Sequence, residues 1–238
     1  MSLAHTVGEL VVQKPSRARV FEHFGIDYCC GGNLPLAEAC SKKGVDVEAV
    51  RAALAKADAA PNAGGKDWST ATMGEIVAHV EAVHHAYLRR EMPRLEFLTG
   101  RVADRHEQRH PELRKIHEIF LHFKQDMDTH MLKEERVLFP MCRELDHATS
   151  ALSSPVGSVN NPVRMMIEEH EAAGAELEQL RELTHGYVPP ADACNTYHAM
   201  LTALSELEAD THVHVHMENS ILFPKAIAAE ARLAACSA

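Results

Sequence analysis

Asp128-Thr129-His130-Met131-Leu132-Lys133-Glu134-Glu135-Arg136-Val137-Leu138-Phe139-Pro140 sets a histidine and a glutamate four residues apart and runs on into Leu-Phe-Pro. The pattern returns 84 residues later as His214-Val215-His216-Met217-Glu218, followed by Ile221-Leu222-Phe223-Pro224. On an α-helix, positions i and i+4 share a face, about 6 Å apart along the axis. One helix can therefore present an imidazole and a carboxylate to the same small volume. A chain that does this twice, in register, reads as two halves of one metal site.

The surrounding composition says what kind of scaffold carries these helices. Of 238 residues, 46% are hydrophobic and only 5% aromatic. Ala, Leu, Glu and Met are common, which favours helices, and the strand signature of alternating β-branched and aromatic residues is nearly absent. The net charge of −10 argues against nucleic acid or an anionic membrane as main partner. No apolar run reaches the length of a membrane span, and the N-terminus lacks a signal pattern, so a cytoplasmic protein is expected. The six cysteines are irregularly spaced, which does not suit a disulfide scaffold. Seventeen histidines are the compositional outlier.

Read in order, residues 1–57 form a small helical domain. Thr6 caps a first helix carrying Leu10, Val11 and Val12. Pro15 opens a second, with Val20, Phe21 and Phe24 at helical spacing and Gly25 ending it. Asp27-Tyr28-Cys29-Cys30-Gly31-Gly32-Asn33 is turn chemistry with two adjacent thiols. Two further helices span about 35–43 and 46–58. Residues 58–68 read as a linker by their Pro and Gly content. Residues 69–238 then read as four long helices. The first starts near Thr70 or Thr72 and meets Pro93, where a kink or one-turn slip is expected. The others run over about 111–145, 162–185 and 191 to the C-terminus. Pro140 and Pro224 should each kink the helix or start a new turn just past the site.

The repeat implies that the first and third long helices bring ligands at matching depth. His85 precedes His130 by 45 residues and His170 precedes His214 by 44. The candidate set is His85, His130, Glu134, His170, His214 and Glu218. Four imidazoles and two carboxylates suit two metal ions bridged by both glutamates, with iron favoured and manganese or zinc as alternatives. A single His-x3-Glu is ordinarily a solvated pair. Two copies at one offset, with the same Leu-Phe-Pro trailer and a matching histidine on the preceding helix, are not. His79 or His84 could replace His85, and Glu169 is a candidate for orienting a ligand. His212 and His216 lie on a different face from His214 and are expected to be exposed. The methionines read as core packing.

With these residues in view, the chain resembles the repair-of-iron-centres family, the YtfE/ScdA type of di-iron protein. The resemblance rests on Phe24-Gly25-Ile26-Asp27-Tyr28-Cys29-Cys30-Gly31-Gly32 in the N-terminal domain. It rests also on His130 to Glu135 with Leu138-Phe139-Pro140, on Glu169-His170-Glu171, and on Glu218-Asn219 with Leu222-Phe223-Pro224. It implies an all-α, hemerythrin-like four-helix bundle with a small N-terminal helical ScdA-like domain. It implies two non-haem iron ions with an oxo or hydroxo bridge, on the same six residues. The implied role is repair of iron–sulfur clusters damaged by nitric oxide or oxidants, with damaged iron–sulfur proteins as partners.

Three activities suit such a site. The first is iron donation, with Cys29 and Cys30 handling the iron or its electrons. The second is reduction of nitric oxide to nitrous oxide, and the third is binding or sensing of nitric oxide or dioxygen. The resemblance leaves a homodimer open.

Overall fold

The computed structural model describes residues 5–59, 66–150 and 155–236. Expectations for 1–4, for 60–65 of the linker and for the start of the loop after residue 150 lie outside them. The described residues are all-α, with no strand among them. No helix there is long and apolar enough to cross a membrane. The chain divides into two compact units: residues 1–76, 142–153 and 212–238, and residues 77–141 and 154–211.

In the first unit, α1 (Val7–Gln13) starts at Thr6, which forms a capping box with Glu9. A 3₁₀ turn at Pro15–Arg17 leads into α2 (Ala18–His23). Gly25 (φ +65°) reverses the chain, a conformation that costs glycine little and other residues more. The helices α3 (Leu36–Lys43) and α4 (Val47–Ala59) follow. Their inward faces share one core: Leu10, Phe21, Tyr28, Leu36, Val50 and Leu54, closed by Val215. Gly8 is a point of close approach. A Cβ there would stand 2.9 Å from both the Gly32 carbonyl oxygen and Ser220 Oγ.

The long helices are α5 (Met73–His79) continuing into α6 (Ala86–His106), α7 (Glu112–Lys133) continuing into α8 (Phe139–His147), α9 (Asn160–Leu183), and α10 (Asn195–Met217) continuing into α11 (Phe223–Cys236). In the second unit α6, α7, α9 and α10 pack round one core that includes Leu88, Met92, Phe120, Phe123, Leu177 and Leu204. Asp146, in the first unit, accepts hydrogen bonds from the Met73 and Gly74 amides at 3.1 and 2.6 Å. These amides have no partner within their own helix, and the carboxylate complements the positive helix end. Asp146→Ala is expected to cost about 1–2 kcal/mol in urea unfolding, and an unchanged midpoint would remove this role.

Three of the joins are π-helical turns: Val80–His85, Glu134–Leu138 and Glu218–Leu222. The last two stand at the 84-residue offset of the sequence repeat. In each, the amide of the phenylalanine (Phe139, Phe223) bonds the carbonyl of the glutamate (Glu134, Glu218) five residues back. Pro140 and Pro224 have no N–H to continue the α ladder, and the widened turn takes up the defect. The perturbation falls on the glutamates rather than past them. The helix runs without interruption through Pro93, and the register slip in that helix lies upstream, at Val80–His85.

Candidate metal centre

The second unit brings together His85, His130, Glu134 and His170. Glu134 is shared between two overlapping groups, one with His85 and one with His130 and His170, with ligand atoms within 4.8 Å in each. Its Oε2 lies 3.2 Å from His85 Nε2 and 3.4 Å from His130 Nε2. His130 Nε2 and His170 Nε2 face one another at 3.1 Å. In the first unit, His214 Nε2 lies 3.2 Å from Glu218 Oε1. All six side chains are at most 2% exposed.

These spacings suit a metal. Two donors at right angles on an ion with bonds of about 2.1 Å stand about 3.0 Å apart. Without a cation or a shared proton, two Nε2 lone pairs at that distance would repel. The donor set is imidazole and carboxylate, suited to iron, manganese or zinc. Three of the six stand at the edge of a π turn: His85 ends one, and Glu134 and Glu218 each open one.

The outer nitrogens of two histidines are also fixed. His85 Nδ1–H donates to Glu135 Oε1 at 2.7 Å, and Arg89 holds the same oxygen at 2.7 Å. His130 Nδ1–H donates to Glu169 Oε2 at 3.0 Å, and Lys133 pairs with the other oxygen. A carboxylate can only accept, so each imidazole keeps its Nε2 lone pair turned inward. Burial alone would raise the Glu135 carboxyl, but the His85 and Arg89 hydrogen bonds outweigh it and hold its pKa low. The hydrogen bond from His130, against burial and with help from Lys133, holds Glu169 down to about 2. The Phe139 ring stacks on His85, with centroids 5.6 Å apart.

His84 points elsewhere: its Nδ1 donates to Asp210 Oδ1 at 3.0 Å. His85 is therefore the residue that the structure sets beside Glu134. His216 departs from the sequence expectation of exposure. It is 5% exposed, its Nδ1–H donates to the Tyr28 carbonyl at 3.3 Å, and its ring lies edge-on to Tyr28. Asn219 Nδ2 donates to the Cys29 carbonyl at 3.2 Å. The N-terminal turn covers this face of α10, which periodicity within one helix could not reveal. Glu135 was also missed, although it directly follows a candidate ligand. Cys29 and Cys30 are thiols with sulfurs 3.8 Å apart.

Removing an outer carboxylate should loosen metal without removing a ligand. Glu135→Gln and Glu169→Gln are each expected to weaken Fe²⁺ binding by about 10–100-fold, read by anaerobic titration. Unchanged affinity in both would show that these carboxylates only tie helices together.

Residues 76–226 match the family model described as hemerythrin HHE cation binding domain. Residues 3–58 match ScdA_N, described as a domain of unknown function. Among curated relatives, the protein named iron-sulfur cluster repair protein YtfE of Pectobacterium carotovorum subsp. carotovorum (strain PC1) is 33% identical over 229 residues, spanning 94% of this chain and 97% of its own. Proteins of the same name from Enterobacter sp. (strain 638) and Escherichia coli O157:H7 are 35% and 34% identical over 224 residues, with the same two coverages. A hemerythrin domain implies non-haem iron, and the buried histidine–glutamate clusters fit it. With a domain model over more than half its length and relatives more than 30% identical over most of it, the chain belongs to the YtfE-type iron–sulfur cluster repair family, built on a hemerythrin HHE cation-binding domain.

Proposed function

We propose that this chain restores damaged iron–sulfur clusters by supplying iron from a two-iron centre on His85, His130, Glu134, His170, His214 and Glu218. The observation that carries the reading is Glu134, fully buried and shared between His85 on one side and His130 with His170 on the other. One carboxylate serving two imidazole groups suits two ions, because its charge offsets their mutual repulsion. The repeat extends the reading to His214 and Glu218, which stand at the same offset, and Glu218 opens the same kind of π turn as Glu134. The name the relatives carry supplies the client class, iron–sulfur clusters.

Bound iron would be the cargo, exchangeable when ferrous. The protein's part is to hold and release it. Glu135 and Glu169 keep the His85 and His130 lone pairs turned inward, and Arg89 and Lys133 hold those carboxylates in place. Burial excludes water from the imidazoles, and Phe139 limits rotation of His85.

Protein loaded with isotopically labelled ferrous iron tests the reading when mixed anaerobically with an iron–sulfur enzyme inactivated by nitric oxide. Label should enter the client as its activity returns, and His130→Ala should abolish both. Recovery without label transfer would overturn donation. One nitrous oxide in the headspace per two nitric oxide supplied would replace donation by reduction of nitric oxide at the same residues.

A further inference from the structure

We propose that Asp27, Cys29 and Cys30 form a separate mononuclear site for a thiophilic divalent cation of the first transition row, the class of ferrous iron and zinc. One donor atom from each of the three residues lies within 4.8 Å of the others. The two sulfurs are 3.8 Å apart. A disulfide would need about 2.05 Å. A tetrahedral ion with metal–thiolate bonds of about 2.3 Å holds two sulfurs about 3.8 Å apart. Cys29 Sγ stands 3.2 Å from Asp27 Oδ1, so the carboxylate is also close to ligand spacing.

The turn itself does not need the thiols. Asp27 Oδ1 accepts from the Cys29 and Cys30 amides at 2.9 Å each, and Oδ2 accepts from the Gly31 amide at 2.8 Å. Those bonds are donated by backbone amides and do not draw on the sulfurs. The backbone is fixed from both sides as well. The Tyr28 and Cys29 carbonyls accept from His216 and Asn219, and the Gly8 amide donates to the Gly32 carbonyl at 2.8 Å. A Cβ on Gly32 would lie 2.5 Å from the Tyr28 oxygen, so the tight closure requires glycine. The donors are thus pre-arranged, with Cys29 buried and Asp27 exposed, which leaves an approach from solvent.

Without a cation, the Cys29 thiol is held protonated by its hydrogen bond with Cys30, by burial and by the nearby Asp27 charge. A divalent cation reverses that balance. Binding forms two metal–sulfur bonds and one metal–oxygen bond and releases both thiol protons to solvent. No electrons move. Asp27 Oδ1 loses the Cys29 S–H donor and turns that lone pair to the metal. Three protein donors leave one tetrahedral position open.

The site stands on its own geometry and does not depend on the bundle reading. Anaerobic, reduced, full-length protein titrated with Co²⁺ separates the two. Imidazole–carboxylate ligation in the bundle gives visible ligand-field bands only. Thiolate ligation adds near-ultraviolet sulfur-to-cobalt charge transfer. The expected result is charge transfer saturating at one Co²⁺ per chain, roughly halved in Cys29→Ser or Cys30→Ser and lost in the double variant, whose bundle bands persist. Asp27→Asn keeps an oxygen for the Cys29 and Cys30 amides, gives up the acceptor of the Gly31 amide and loses the anionic ligand, so it should bind Co²⁺ about tenfold or more weakly at this site. Ligand-field bands without charge transfer in the parent would overturn the proposal. So would charge transfer that survives the double variant, which would place it on other cysteines. Undiminished affinity in Asp27→Asn would remove the carboxylate from the site.

Discussion

Replacing Glu134 by alanine is expected to lower Fe²⁺ affinity by at least about 100-fold and to leave half or less of the parent's iron after dialysis. The expectation follows from its shared position. Loss of an ordinary ligand would weaken one ion, whereas Glu134 stands within ligand distance of both imidazole groups. Loss of a carboxylate that merely orients a ligand costs about 10–100-fold, so loss of a shared donor lies at or beyond the upper end. A 100-fold loss removes about 2.7 kcal/mol of the stabilisation that bound metal confers. The melting-temperature gap between iron-loaded and metal-free protein should therefore narrow in the variant. Glu218→Ala is expected to behave alike, since it occupies the equivalent place in the repeat. Metal analysis and an anaerobic Fe²⁺ titration check both. Full iron content in the two variants would overturn the assignment of the centre.

The second expectation concerns acid and the N-terminal turn. Burial pushes the His216 imidazole down to about 4 from an ordinary 6.5, and its bond to the Tyr28 carbonyl offsets only part of this. Between those values the unfolded chain takes up a proton that the folded chain refuses. Stability of the first unit should thus be unaffected by this group above about pH 6.5 and fall as pH drops towards 4. The loss is about 1.4 kcal/mol per pH unit, about 3 kcal/mol in all, and levels off below pH 4. His216→Gln keeps a side-chain amide donor and cannot titrate. Urea unfolding of metal-free protein at about pH 7 and pH 4.5 should show a large drop in the parent and a much smaller one in the variant. An equal drop in both would assign the acid sensitivity to other groups.

The ligand pattern was legible in the sequence because it is local. His130 with Glu134, and His214 with Glu218, meet through i,i+4 spacing alone, and repetition at one offset separates them from chance pairs. The all-α class was legible for the same reason, since periodicity, caps and prolines act within a few residues. Even the site of backbone irregularity was half visible: Pro140 and Pro224 announced a break, though its placement on the glutamates depended on how the ladder re-formed. Contacts between distant segments were not legible. His84 and His85 are neighbours, and only the packing of other helices sets one against Asp210 and the other against Glu134. Glu135 and Glu169 acquire their roles from histidines 50 and 39 residues away. His216 looks solvent-facing on its own helix and is buried by a turn 188 residues earlier. Spacing along one helix determines which side chains share a face. What covers that face, and which outer atoms orient the ligands, is decided only when the helices pack.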